Sequence, residues 1–213
     1  MRRRPMSNLP PLAYNTYYHI YNRGNNRENL FKEERNYRHF LRLYAKHIEP
    51  IADTFAYCLL PNHFHLLVRI KAAEEQDLTG FQNLSDLDST PKPRNPSRQF
   101  ANLFNAYTKA INNAYSRTGA LFERPFGRKP VDSDAYFAQL VIYIHQNPQR
   151  HGLIDDFRDW PYSSYHTLFS SQATRLKREV VIEWFDGIQN IEVQHQRPIN
   201  QAQIAPLIGE DFD

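Results

Sequence analysis

A single cysteine, Cys58, in 213 residues excludes an internal disulfide framework and any cysteine-based zinc site. It lies in an apolar run and reads as a small core residue. Nothing approaches the ~18 consecutive apolar residues that a membrane-spanning helix needs, so no span is expected. Glycine is scarce, at 7 residues, and no repeat is present, which excludes collagen-like and solenoid architectures. Charge of one sign is also lacking: 26 Lys and Arg against 23 Asp and Glu leave a net +3, which permits a nucleic-acid partner without requiring one. Met1-Arg2-Arg3-Arg4-Pro5 is basic but no apolar segment follows it, so it does not read as a secretory signal. The expected setting is the reducing cytoplasm.

What the chain does have is 41% hydrophobic residues, with 14 Phe, 13 Tyr and 2 Trp, enough for the core of one medium domain. Tyr17 to Arg23 is aromatic and β-branched and predicts a first strand, closed by Gly24-Asn25-Asn26. Tyr37, Phe40, Leu41, Tyr44 and Ile48 recur at helical spacing behind Asn36, the expected cap. Asp53 to Leu60 and Phe64 to Ile70 predict a hairpin turning at Pro61-Asn62. Phe100, Leu103, Phe104, Tyr107, Ile111 and Tyr115 mark a second helix capped by Ser97 and ended by Gly119. Leu121 to Val131 reads as a turn plus a short fourth strand, weakened by its prolines. Phe137, Leu140, Val141 and Ile144 mark a third helix, capped by Ser133 or Asp132 and ended by Pro148. A short helix is expected over Glu179 to Phe185, and the stretch from Gln194 is expected to be poorly fixed.

The order βαββαβ predicts an α+β, ferredoxin-like sandwich with an additional helix after the fourth strand and a sheet ordered four-one-three-two. Strand three is then central. The expected organisation is a basic arm over residues 1–13, one domain over 14–169 with a polar insertion at 72–96, and an extension over 170–213. Arg2, Arg3 and Arg4 of the arm, and Arg98 and Lys109 on the polar face of the second helix, are candidate phosphate contacts, although solvated faces look the same in sequence.

The chemistry is concentrated in Pro61-Asn62-His63-Phe64-His65. Strand side chains alternate faces, so His63 and His65 point the same way, with Leu67, while Phe64, Leu66 and Val68 point the other. Two imidazoles two residues apart can share one divalent ion, flank one phosphate oxygen, or simply pack as hydrogen-bonded core histidines. On the third helix Tyr143 falls off the apolar stripe and Asn147 is one turn on, so a phenol and an amide share a flank. Tyr136 is a rival phenol with no polar neighbour a turn away. His145 points elsewhere and reads as structural or exposed, and His19 reads as an aromatic packing neighbour. Two neutral nitrogens and an amide oxygen make a partial shell for Mg²⁺ or Mn²⁺ that leaves room for phosphate oxygens. A tyrosine beside such an ion can attack phosphorus.

Pro61-Asn62-His63-Phe64-His65 resembles the His-apolar-His signature of the single-tyrosine HUH transposases. Tyr143-Ile144-His145-Gln146-Asn147-Pro148 is similar to the tyrosine helix of their REP-associated branch. Tyr18 to Gly24, Gly119 to Phe126 and Trp160 to Tyr165 also look like that group, so the resemblance covers roughly residues 14–169. It implies a ferredoxin-like fold that cleaves single-stranded DNA with hairpin or palindromic elements through a 5′-phosphotyrosine and rejoins it, as a monomer or homodimer. Carried over by position, Tyr143 is the nucleophile and His63, His65 and Asn147 hold Mg²⁺ or Mn²⁺. Relatives outside this branch place Gln at the position of Asn147. The insertion and the tail lie outside the shared region. A catalytically silent nucleic-acid-binding module on the same sandwich is the alternative, and a metal-dependent hydrolase with water as nucleophile is a third.

Overall fold

A computed structural model describes residues 11–76 and 93–197. Arg2, Arg3 and Arg4, most of the 72–96 insertion and the end of the tail therefore lie outside the described residues. Strands β1 (Tyr17–Arg23), β2 (Ala52–Leu60), β3 (His63–Ile70) and β4 (Gly127–Pro130) form one sheet in the order β2-β3-β1-β4. All three pairings are antiparallel, and β3 is interior as expected. Helices α1 (Glu34–His47), α2 (Pro96–Ala114) and α3 (Asp134–Arg150) follow in the anticipated places. Three shorter helices come after: α4 (Tyr165–Phe169), α5 (Arg178–Trp184) and α6 (Ile188–His195).

The sheet divides the core into two layers. Phe64, Leu66 and Val68 pack with the apolar faces of α1 and α2, whereas Cys58, Leu60 and Leu67 pack with α3 and residues of α4 to α6. Strand alternation alone produces this split. A register shift between Thr54 and Ala56 bulges β2, which turns both Phe55 and Ala56 toward the α3 layer. Two isolated bridges, Cys58 to Ser163 and Thr54 to Leu176, cover part of the outer edge of β2.

Several boundaries differ from expectation. Helix α1 starts after Glu33, and Asn36 stands at its third position, where Oδ1 accepts from the backbone of Lys32 and Glu33. Helix α2 is capped by Asn95, whose side chain accepts from Arg98 N at 3.0 Å, with Pro96 suited to the first turn. That helix stops at Ala114 rather than Gly119; Ser116 takes φ +49° and Arg117 N bonds back to Asn112 O. Ser133 does cap α3. Pro148 does not end it. A proline in the last turn removes one backbone bond, and the helix runs on to Arg150. The true stop is Gly152 at φ +63°, with Gly152 N on Gln149 O and Leu153 N on Pro148 O, a Schellman arrangement. Helix α6 was not anticipated; its last residues, Gln194 and His195, begin the stretch expected to be poorly fixed.

Candidate active site

Strand β3 delivers His63 and His65 to the face over which α3 lies, and α3 delivers Tyr143 and Asn147 to the same place. The His63 and His65 rings are 5.2 Å apart, nearly perpendicular, and the Tyr143 ring meets His65 edge-on at 5.4 Å. Asn147 is wholly buried; its Nδ2 donates to the Tyr143 carbonyl at 3.3 Å. Its amide is close enough to His63 to pull that imidazole's pKa upward through a hydrogen bond, while Oδ1 finds no well-aligned donor among the described residues. The structure thus brings together all four residues singled out by sequence.

Although off the apolar stripe, Tyr143 is buried, with only 1% of its surface accessible. Helix α3 is sandwiched between the sheet and the short tail helices, so residues on most of its circumference are buried. His145 is buried as well, and its role is structural: Nδ1 is 2.9 Å from His195 Nε2 of α6 and Nε2 is 2.8 Å from Ser164 Oγ. Because His195 Nδ1 donates to the Ile191 carbonyl at 2.7 Å, its Nε2 accepts from His145. This chain pins α6 to the back of α3.

Three more residues join the site. His19, on the interior strand β1, places Nε2 2.9 Å from His65 Nδ1, with both rings fully buried. Arg23 stands opposite His63 in the β1–β3 register. His151, just past α3, puts its ring 4.8 Å from that of His63. Periodicity cannot find such cross-strand neighbours. The expected four-one-three-two order, however, sets β1 beside β3, and His19 shares a face with Tyr17 and Tyr21. Gly127 of β4 makes room for this layer, since a Cβ there would fall 2.0 Å from the Tyr21 ring, which itself lies 4.8 Å from His19.

Burial dominates the electrostatics. The His63 pKa drops to about 3, first through desolvation and then through the charges of His151 and Arg23. His65 is held well below the ordinary histidine value by burial, with His19, His63 and His151 adding to the effect. Both imidazoles are therefore neutral near pH 7, the form that ligates a metal. His63 Nδ1 is engaged by Asn62 Oδ1 at 2.7 Å and His65 Nδ1 by His19, while both Nε2 atoms and Asn147 Oδ1 are buried in the same region. That donor set fits a hard or borderline divalent ion with vacant positions for phosphate oxygens. No trio of His, Cys, Asp or Glu capable of holding a metal occurs among the described residues.

Arg98 and Lys109 are not gathered here. Both are exposed on α2, in the layer on the opposite side of the sheet. Two cavities, of about 810 Å³ beside the outer flank of α3 and about 510 Å³ beside the β2 edge, are lined by none of the four central residues. No helix among the described residues is long and apolar enough to cross a membrane.

An α+β sandwich whose interior strand carries two histidines facing a tyrosine helix is the arrangement that the single-tyrosine resemblance implies. Comparison with known proteins finds similarity to REP-associated tyrosine transposases. It is 29% identical over 114 residues to a Haemophilus influenzae protein named "Putative REP-associated tyrosine transposase". The match takes in 54% of this chain and 59% of that relative's length. A solved structure of the REP-associated tyrosine transposase bound to a REP hairpin superposes with a TM-score of 0.54 at 18% identity, over 80% of this chain and 86% of the other. That likeness shows the shared fold. A bacterial tRNA(His) guanylyltransferase-like protein in complex with GTP aligns at a TM-score of 0.41 and 9% identity over 68% of this chain and 67% of the other, too loosely to carry an argument. No family model matches the chain.

Proposed function

We propose that this chain is a transposase of the REP-associated type: a metal-dependent endonuclease and strand transferase acting on single-stranded DNA that carries hairpin or palindromic elements. The observation that carries the reading is the convergence of His63, His65, Tyr143 and Asn147 in one buried cluster. The sequence similarity to a protein named a REP-associated tyrosine transposase, and the fold shared with a solved one, support it. His63, His65 and Asn147 would hold Mg²⁺ or Mn²⁺, which would polarise the phosphate and neutralise developing charge.

In this reading Tyr143 Oη attacks the scissile phosphorus as the phenol gives up its proton. The Oη–P bond forms, the P–O3′ bond breaks, and the departing strand takes a proton as a 3′-hydroxyl. The phosphodiester energy is kept in the protein-linked 5′-phosphate, so a 3′-hydroxyl can attack it in reverse and rejoin the strands. Arg23, opposite His63 in the β1–β3 register and 3.9 Å from Glu123, supplies a guanidinium near the site that suits a phosphate. The neutral imidazoles and the buried walls exclude water, which favours strand transfer over hydrolysis.

The test is incubation with end-labelled single-stranded DNA from either flank of the gene, hairpin included, with Mn²⁺ or with EDTA. A denaturing gel and mass mapping of any modified peptide follow. The expected result is a protein-linked strand on Tyr143 that forms only with metal. Cutting that persists in EDTA overturns the metal account. A gel shift with no cutting under any condition favours the silent binding module, and cutting without a protein-linked strand favours the hydrolase.

A further inference from the structure

We propose that His19 is a positioning residue that sets the tautomer and orientation of His65, and so the affinity of the site for its divalent ion; the inference rests on the metal-dependent reading above. His19 and His65 are diagonal neighbours on one sheet face, because Tyr21 is opposite His65 and His19 opposite Leu67 in the β1–β3 register. Their rings lie 5.1 Å apart and 24° from parallel, both 0% exposed, with His19 Nε2 2.9 Å from His65 Nδ1.

Two neutral imidazoles joined this way share one proton, and the choice of its owner decides what His65 can do. If His65 Nδ1 carries the proton and donates to His19 Nε2, then His65 Nε2 keeps its lone pair for a metal. If His19 Nε2 carries it, His65 Nε2 is protonated and cannot ligate. A metal at Nε2 selects the first state, with His19 as acceptor. The same logic governs His63, where Asn62 Oδ1, an obligate acceptor at 2.7 Å, fixes the proton on Nδ1. Each ligand imidazole thus has a partner behind it on the Nδ1 side, Asn62 from the hairpin turn and His19 from the adjoining strand. Such partners hold ligand geometry, and losing one typically lowers metal affinity by about 10–100-fold. His19 reaches the rest of the site as well: its ring meets the Tyr143 ring edge-on at 6.3 Å.

The experiment measures Mn²⁺ binding to the full-length protein by electron paramagnetic resonance and calorimetry, with a His63→Ala/His65→Ala variant defining binding at this site. His19→Phe keeps the shape of the ring but removes the acceptor. We expect it to weaken Mn²⁺ binding about 10–100-fold while hairpin DNA affinity and the circular dichroism spectrum hold. His19→Gln, whose amide oxygen can accept from Nδ1, is expected to restore most of the affinity. Cleavage by His19→Phe should recover as Mn²⁺ is raised, a response that simple loss of structure does not give. Mn²⁺ affinity within twofold of the parent in His19→Phe overturns the proposal, as does absence of any Mn²⁺ binding by the parent. Should His19→Phe fail to fold, ¹⁵N spectra of the histidine rings in the parent decide the matter. An Nδ1–H tautomer for metal-loaded His65 is the expected result, and an Nε2–H tautomer refutes it. Tight Mn²⁺ binding that is sensitive to His19, in a protein that never cuts DNA, leaves this inference standing and removes the transposase reading.

Discussion

Replacing Tyr143 with phenylalanine separates chemistry from structure at this site. The change removes one oxygen from a side chain that is 1% exposed and leaves the ring against His65 at 5.4 Å and His19 at 6.3 Å. Arg150, whose guanidinium lies 5.6 Å from the Tyr143 ring centroid, keeps an aromatic face beneath it. The loss in stability is that of one buried hydroxyl, about 0.5–1.5 kcal/mol, or a few degrees in melting temperature for a domain of this size. Because almost none of Tyr143 reaches the surface, hairpin DNA affinity should change less than about threefold, under ~0.7 kcal/mol. The covalent adduct, by contrast, should vanish: a loss beyond ~10⁴-fold corresponds to more than ~5 kcal/mol of transition-state stabilisation. Thermal melts, gel-shift titrations and denaturing-gel adduct assays on the same preparation read these three quantities. An adduct that survives in Tyr143→Phe refutes the assignment. Tyr136 is then the next phenol to map, although its buried hydroxyl has no hydrogen-bond partner among the described residues, and burial, Asp132 and Tyr21 together raise its pKa.

Other perturbations test the scaffold. Phe64→Ala, on the opposite face of β3, empties a site packed by Phe40, Phe104 and Phe122 at 5.3–6.3 Å and should cost about 3–5 kcal/mol in urea unfolding; a cost below ~1 kcal/mol would deny that this layer is close-packed. Gly127→Ala sets a Cβ against the Tyr21 ring and should cost about 1–3 kcal/mol, with the His19–His65 pair disturbed in histidine NMR spectra; unchanged spectra would show that the ring moves aside freely. The pKa of His195 falls to about 4 through burial, against about 6.5 when unfolded. The unfolded chain therefore takes up the proton first, and stability should decline as pH drops from about 6.5 to 4, by up to about 3 kcal/mol for this group. Urea midpoints at pH 7.5 and 4.5 measure the decline, which His195→Gln should lessen, the remainder belonging to His63, His65 and His145; an identical gradient in that variant would mean that His195 contributes nothing to it.

Much of this architecture was legible because it follows from short-range patterns. Alternation along Tyr17–Arg23 and His63–Ile70 fixed which residues face which layer, and the order of elements fixed the sheet. The pairing of His63 with His65 and of Tyr143 with Asn147 needed only strand and helix periods. What was not legible depends on contacts distant in sequence. Tyr143 is buried against His65 and His19 on the sheet, whereas His145 is buried by α6, a short, weakly patterned helix whose docking through His195 spans 50 residues. His19 meets His65 across 46 residues. The end of α3 was misplaced because Pro148 is a conspicuous signal, whereas the operative one, Gly152 in a left-handed conformation, sits four residues later.

The near-complete enclosure of Tyr143 carries a consequence for handling the protein. With 1% of its surface accessible and the Arg150 guanidinium 5.6 Å from its ring centroid, Tyr143 meets a phosphate, on the proposed reading, only after neighbouring side chains part. A phenol-directed label such as tetranitromethane should pass over Tyr143 in the free protein and find it once a substrate strand has opened the way, making the tyrosine a built-in gauge of commitment.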